Sequence, residues 1–217
     1  PGCGGSNKPK TSSSTNPSSQ TGVSPETAEH DERQPLPKGL SAKQQTKSKP
    51  VDDPKAVAAL QDLGAKVEFD DGGIVERVVF PHGATDEHTT HLSQLANVRG
   101  LEMPEARLSE EGWKRLIALT ALRSLGLAGV TVGGVDMSHL KRLSKLEKLD
   151  LSWSKVRNAD LKHVQQLSAL IDLDLSMTDI SDGAVTTLMS LTNLKRLVLE
   201  GSAISEERIA ELGKVLP

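Results

Sequence analysis

The stretch LIDLDLSMTDI, residues 170–180, recurs along the chain at a fixed distance. Leucines hold its first, fourth and sixth places, a threonine holds the ninth and an isoleucine the eleventh. Segments of the same form begin at Leu122, Leu146 and Leu194, which sets the spacing at 24 residues. A fixed period in the twenties is the signature of a solenoid, in which each unit buries its apolar side against its neighbours.

Two weaker units precede these four. VRGLEMPEARL begins at Val98, one period before Leu122, and VERVVFPHGAT begins at Val75, 23 residues earlier. Both carry apolar residues at the required places, so we expect about six units over residues 75–217. Each unit should contain a short strand, a turn and a helix, because its second half has apolar residues at helical spacing.

The predicted helices begin with a serine followed by acidic residues, as in SEEGWKRLIAL and SEERIAELGKV. A serine at the N-cap accepts a hydrogen bond from a free backbone N–H of the first turn, and acidic side chains there suit the helix dipole. We therefore predict N-caps at Ser109, Ser181 and Ser205. One unit buries too little apolar surface to offset the entropy of ordering it, so the strands must lie side by side in one parallel sheet.

The first 50 residues differ from the rest of the chain. They contain three bulky aliphatic residues and 7 Lys+Arg against 4 Asp+Glu, whereas the remainder has 19 basic and 25 acidic residues. Such a segment buries too little surface to become ordered, so residues 1–50 are predicted to be a disordered Ser/Pro/Lys-rich tether. Residues 51–74 show helical spacing, a stop at Gly64 and then alternation through Val67 and Phe69, which predicts a helix and a strand.

The repeat resembles the leucine-rich repeat family, whose pattern is L-x-x-L-x-L-x-x-N-x-L. MTDISDGAVTTL is similar to the bacterial form of that repeat, L-x-x-L-x-L-x-x-T-x-I-T-D-x-G-L-x-x-L. The resemblance implies an α/β solenoid with parallel strands on the concave face, helices on the convex face and residues 51–74 as an N-terminal helix–strand cap. The ninth place, which holds asparagine in the family's pattern, holds another residue in every unit of this chain. This departure puts the family's turn geometry in doubt for the first three units. That place holds Gly83, Ala106, Val130, Ser154, Thr178 and Ser202.

Side-chain alternation turns the third, fifth and seventh places of each unit toward the concave face. The third place holds Lys148, Asp172 and Arg196 in the last three units, which predicts a charge ladder across the strands. The fifth place holds Asp150 beside Asp174, a pair that could bind a cation or a basic partner. Alternatively, the two carboxylates are ordinary for this repeat and are neutralised by the neighbouring basic residues. A dedicated metal site is not favoured.

The eighth place lies at the rim of the concave face and holds Trp153 and Met177 in adjacent units. An exposed pair of this kind is the composition of a binding hot spot. In the alternative, both side chains fold over the rim and cover the turn below. We therefore predict a partner-binding surface formed by Lys148, Asp150, Trp153, Asp172, Asp174, Met177 and Arg196.

The sequence offers little for catalysis, metals or cofactors. His88 and His91 have the i, i+3 spacing of metal ligands but no evident third ligand, and His91 shares its slot in the repeat with His139 and His163, which indicates a structural role. GLAGVTVGG, residues 126–134, lacks the glycine order of a nucleotide-binding loop. We predict a protein that is not an enzyme and needs no cofactor.

Composition further limits the partners. A net charge of −3, an aromatic content of 2% and the absence of Tyr argue against a nucleic-acid partner. The lone cysteine, Cys3, lies in PGCGGS before the long polar segment, which resembles the cleavage site of a bacterial lipoprotein, although Pro1 fits that site poorly. A lipid on Cys3 would then be the protein's contact with a membrane, and a stray thiol is the alternative.

These observations predict a non-catalytic module that binds another macromolecule, most simply a protein, at the concave face or rim. The tether and Cys3 suggest display from a bacterial cell envelope, with the cytoplasm as the alternative location. A structural spacer or a fragment of a longer array is the alternative function.

Overall fold

The structure is a computed structural model, and it describes residues 52–95, 97–130 and 137–216. The predicted tether at residues 1–50 and the predicted lipidation site Cys3 lie outside the described residues.

Within the described residues, seven strands form one sheet in the order β1-β2-β3-β4-β5-β6-β7. β1 runs antiparallel to β2, and each later strand runs parallel to the one before it. The strands are β1 (Lys66–Phe69), β2 (Val75–Val79), β3 (Gly100–Glu102), β4 (Ser124–Gly126), β5 (Lys148–Asp150), β6 (Asp172–Asp174) and β7 (Arg196–Val198).

Short helical segments connect the strands and form a second layer beside the sheet. The α-helices are α1 (Pro54–Asp62), α2 (Asp86–Thr89), α3 (Glu110–Leu116), α4 (Leu161–Val164), α5 (Val185–Met189) and α6 (Glu206–Val215). Single turns of 3₁₀ helix cover Leu92–Gln94 and Asp182–Ala184, and a longer 3₁₀ segment covers Met137–Arg142. The predicted alternation of strand and helix is therefore confirmed, although several of the helices are only one turn long.

The register of the sheet is the one that the repeat predicts. The leucines at the fourth place lie opposite one another from Leu101 through Leu125, Leu149 and Leu173 to Leu197. All but Leu197 are almost completely buried. Because a shift by one residue would turn this row out of the core, burial of the leucines fixes the register. The six parallel strands correspond to the six predicted units.

The lead-in has the predicted helix and strand. Asp53 precedes α1 and accepts a hydrogen bond from the backbone N–H of Lys55 at 2.9 Å. The helix ends at Asp62 with Leu63 as its C-cap, and Gly64 has a φ of +83°, a left-handed conformation that glycine adopts without steric cost. β1 then pairs with β2 at the start of the array. That these elements act as a cap remains a prediction.

The predicted N-caps are only partly right. Ser109, Ser181 and Ser205 all lie at N-cap positions, but only Ser109 accepts capping hydrogen bonds, from the N–H groups of Glu111 and Gly112. The other two serines make no capping bond with their side chains. All three serines also pair with a side chain of the preceding unit, and only Ser109 makes both kinds of bond. These pairs are Asp86 with Ser109, Asn158 with Ser181, and Asp182 with Ser205.

This ladder ties consecutive units together on the helical side of the array. Asp182 accepts from the backbone N–H of Ser205 at 2.8 Å and from its hydroxyl at 3.1 Å. Asn158 accepts from the N–H of Ser181 at 2.9 Å and donates to its Oγ at 2.9 Å.

Within the described ranges, no helix is long and apolar enough to cross a membrane.

Candidate partner-binding surface

The third places of the six units form one row across the open sheet face. Sheet pairing places Arg77, Gly100, Ser124, Lys148, Asp172 and Arg196 in successive register. The same register places Asp150 directly opposite Asp174. Four of the charged residues predicted for the site, Lys148, Asp150, Asp172 and Asp174, are therefore neighbours on adjacent strands about 4.8 Å apart.

A groove of about 280 Å³ crosses this face. Gly126 and Ala128 of the third unit lie in it between the larger Glu102 on one side and Asp150 on the other. The groove exists because the third unit has small residues at the fifth and seventh places. These small residues are visible in the sequence and could have predicted the groove. Its lining includes all five charged residues predicted for the site, namely Lys148, Asp150, Asp172, Asp174 and Arg196.

Each of the two paired aspartates uses one oxygen to hold its own strand end. Asp150 Oδ1 accepts from the backbone N–H of Ser152 at 2.8 Å. Asp174 Oδ1 accepts from the N–H of Ser176 at 2.9 Å and from its hydroxyl at 2.6 Å. Neither Oδ2 accepts a hydrogen bond from the part of the chain that the structure describes. One oxygen of each carboxylate is therefore structural, and the other remains available.

The predicted charge ladder is half formed. Arg196 Nη1 lies 3.1 Å from Asp172 Oδ1, which makes an ion pair between β7 and β6. Lys148 is exposed and forms no ion pair with any described residue, so it does not neutralise the aspartates by direct contact. At the other end of the face, Arg77 pairs with Glu102. Among the charged residues predicted for the site, those without an ion pair to a described residue are therefore Lys148 and Asp150 of the fourth unit and Asp174 of the fifth.

The turn after each strand is left-handed at the eighth place. Glu105, Trp153 and Met177 have φ values of 54°, 59° and 55°, and Gly129 and Gly201 occupy the same place with φ values of 72° and 69°. The N–H of each residue from the second to the fifth unit donates to the seventh-place carbonyl of the following unit, at 2.6 to 2.9 Å. These backbone hydrogen bonds to the following unit hold the left-handed conformation from the second to the fifth unit, whatever side chain the residue carries.

The doubt about the turns in the first three units is resolved by this geometry. The second and third units have the same turn as the later ones although they lack asparagine at the ninth place. The first unit differs, because Gly83 at its ninth place takes the left-handed conformation and donates to the carbonyl of Pro104. That unit therefore has one extra residue between its strand and its turn.

The rim residues Trp153 and Met177 are exposed. The Trp153 side chain is 68% accessible, which rules out the alternative in which it folds over and covers the turn. Met177 is 41% accessible and leans over Gly201, where an added Cβ would overlap with its Sδ. Met177 therefore covers its neighbour in part and still presents apolar surface. The repeat pattern predicts both residues at the rim but gives no sign of their left-handed backbone.

The described histidines form no cluster of metal ligands. His88 makes an edge contact with the ring of Phe80, with centroids 5.6 Å apart, and its Nδ1 lies 3.2 Å from the backbone nitrogen of Thr85. His82 lies 3.3 Å from Glu105 at the rim of the first two units. Within residues 52–95, 97–130 and 137–216, no three metal-ligating side chains come together.

No protein-family model matches the chain, and no curated protein sequence matches it significantly. Internalin C2 of Listeria monocytogenes is similar in structure, with a TM-score of 0.51 and 21% sequence identity over 75% of this chain and 71% of the internalin. The internalin InlF of the same organism gives a TM-score of 0.42 and 20% identity over 58% of this chain and 42% of its own. A TLR13–ssRNA13 complex gives 0.41 and 24% identity over 55% and 17%.

The likeness to internalin C2 concerns the fold. Together with the mostly parallel seven-stranded sheet and its helical layer, it shows an α/β leucine-rich repeat fold. The fold that the repeat pattern predicts is thus confirmed.

Proposed function

We propose that this protein is a non-catalytic recognition module that binds another protein through the open sheet face and rim of its fourth to sixth units. The observation that carries the proposal is the exposure of Trp153 in a left-handed backbone. Glycine fills the same place in the third and sixth units without strain. A large aromatic residue there costs stability and is not buried, and both features are typical of a residue retained for binding.

The neighbouring residues support a protein partner. Met177 extends the apolar surface of Trp153 along the rim, and aromatic residues and methionine are enriched in the buried centres of protein interfaces. The charged groove beside them supplies polar groups that can fix the orientation of a partner. The interaction surface comprises the seven residues predicted from the sequence, of which Trp153 and Met177 are the energetic centre.

Presentation on a tether is part of the proposal. Residues 1–50 would hold residues 51–217 away from a surface, and a lipid on Cys3 would attach the protein to the bacterial envelope, outside the cytoplasm. Support comes from composition alone, namely a polar segment poor in apolar residues after a cysteine flanked by small residues. The N-terminal peptide from native membranes should then have the mass of an acylated cysteine. An unmodified Cys3 in that peptide would refute the anchor and favour a cytoplasmic location.

The binding proposal is tested by capture from an envelope extract of the producing organism with the full chain as bait. Trp153→Ala/Met177→Ala should lose the captured protein, because both side chains would lie in the centre of the interface. Phe69→Ala/Val215→Ala is the matched control, since these residues are about half exposed and lie away from the rim. Capture that survives the rim variant contradicts the proposed site. Absence of any captured protein would favour the structural spacer or the fragment of a longer array.

A further inference from the structure

The groove has an excess of negative charge. Four carboxylates and two basic side chains line it. Glu102 is paired with Arg77, and Asp172 is paired with Arg196, so these two carboxylates already have partners. Asp150 and Asp174 each keep an oxygen that accepts no hydrogen bond from the described residues.

The shape of the groove favours a side chain rather than a flat surface. Gly126 and Ala128 line the part of the groove that crosses the third unit, where the sheet carries little side-chain bulk. Glu102 leans over Gly126, with its Cγ 3.1 Å from where a Cβ would be, and forms one wall. Asp150 lies opposite Gly126 in the sheet register and forms the other. A long side chain that enters over the third unit therefore reaches the carboxylate of Asp150 and, one strand further, that of Asp174.

We propose that the partner inserts a lysine or arginine side chain into this groove, where Asp150 and Asp174 receive its charge, while an apolar residue beside it contacts Trp153 and Met177. The proposal rests on the proposed function and adds the chemistry of the partner. Charge complementarity selects the occupant, because an anionic or apolar side chain would leave the two free carboxylate oxygens desolvated without a donor, and a neutral donor would leave their charge uncompensated. Arginine and lysine also carry apolar stems that can lie along Gly126 and Ala128.

The test uses fluorescein-labelled peptides of Ser-Leu-Lys repeats and matched peptides in which the lysines are replaced by glutamine or glutamate. Binding to the full chain is measured by fluorescence anisotropy at low salt. The lysine peptide should bind at least about tenfold more tightly than the glutamine peptide, the glutamate peptide should not bind, and salt should weaken the lysine peptide most. Equal binding of the lysine and glutamine peptides would overturn the proposal.

Asp150→Asn/Asp174→Asn locates the effect. Asparagine keeps an oxygen that accepts the N–H bonds of Ser152 and Ser176, so the strand ends should keep their structure. This variant should bind the lysine peptide about tenfold more weakly. Asp62→Asn/Asp71→Asn removes the same charge from exposed residues outside the groove and should leave the affinity nearly unchanged. Equal losses in the two variants would reduce the effect to net charge and overturn the groove as the site.

Failure of this inference can be told apart from failure of the proposed function. If Trp153→Ala/Met177→Ala abolishes capture but Asp150→Asn/Asp174→Asn does not, the rim binds the partner and the cationic side chain is refuted. If the rim variant leaves capture and peptide binding unchanged, the proposed function itself fails. Loss of binding in both variants, with circular dichroism unchanged, supports both.

Discussion

At the eighth place of the repeat, the same backbone conformation has a different free-energy cost for different residues. The eighth place is left-handed from the second unit to the sixth, and from the second to the fifth its N–H donates a hydrogen bond to the following unit. For a residue with a side chain this conformation costs roughly 1–2 kcal/mol, whereas glycine adopts it freely. Trp153 bears this cost and recovers little by burial, since most of its side chain is exposed.

Trp153→Gly should therefore raise the free energy of unfolding, by about 0.5–1 kcal/mol, because relief of strain outweighs the added freedom of the unfolded chain. Trp153→Ala keeps the strained conformation and should leave stability nearly unchanged. Both variants should lose partner capture. Urea denaturation followed by circular dichroism measures the first effect, and a less stable glycine variant would contradict the strain argument.

Gly201 illustrates the opposite case. Its φ of +69° and the Met177 side chain above it both oppose a Cβ. Gly201→Ala should lower the free energy of unfolding by about 2–5 kcal/mol, of which about 1–2 kcal/mol is backbone strain and the rest is the overlap with Met177. In a Met177→Ala background the steric part should disappear and the loss should shrink to the backbone strain. A double-mutant cycle by thermal unfolding tests this, and additive effects would show that the two residues do not interact.

The starts of helical segments in neighbouring units are joined by hydrogen bonds between an aspartate or asparagine side chain of one unit and a serine of the next. Asp86 occupies the space beside Gly112, where an added Cβ would overlap with its Oδ1. Gly183 has the same relation to Asn158, whose Nδ2 would lie 2.7 Å from an added Cβ. The glycine in these helix starts therefore admits a side chain from the preceding unit. This gives a physical reason for the glycine in TDISDG, where the repeat pattern alone gives none.

Gly112→Ala reverses the usual sign of a helix substitution. Alanine in place of glycine inside a helix normally stabilises by about 0.5–1 kcal/mol. Here it should destabilise by about 1–2 kcal/mol, because Asp86 must move and its hydrogen bonds to Ser109 are lost. In an Asp86→Ala background, where that obstacle is gone, the same change should stabilise. Calorimetric melting temperatures of the four proteins measure this, and a stabilising Gly112→Ala in the wild type would contradict it.

The whole array depends on the row of buried leucines at the fourth place. A leucine in the middle of the row is enclosed by units on both sides, whereas Leu197 on the last strand is only partly buried. In a solenoid, stability comes from such contacts between neighbours.

Leu149→Ala should therefore cost about 2–5 kcal/mol of unfolding free energy, through lost burial and the cavity left behind. Leu197→Ala is the matched control and should cost roughly half as much, since less surface is lost. Urea unfolding curves of the two variants make the comparison. Equal losses would show that the last unit is packed as tightly as the fourth.

The sequence by itself determined the scaffold of this protein. A period of 24 residues with leucines at fixed places allows one register, because any other exposes the leucine row. The strand positions, the helix–strand lead-in and the proximity of Lys148, Asp150, Asp172 and Asp174 followed from that register.

Tertiary structure decided how the side chains are used. The N–H of the left-handed Trp153 bonds to the next unit, and Ser181 and Ser205 bond to side chains of the preceding unit and make no capping bond with their side chains. The groove likewise depends on the small third unit lying between two larger ones. All three features are contacts between units, whereas a repeat pattern describes one unit at a time.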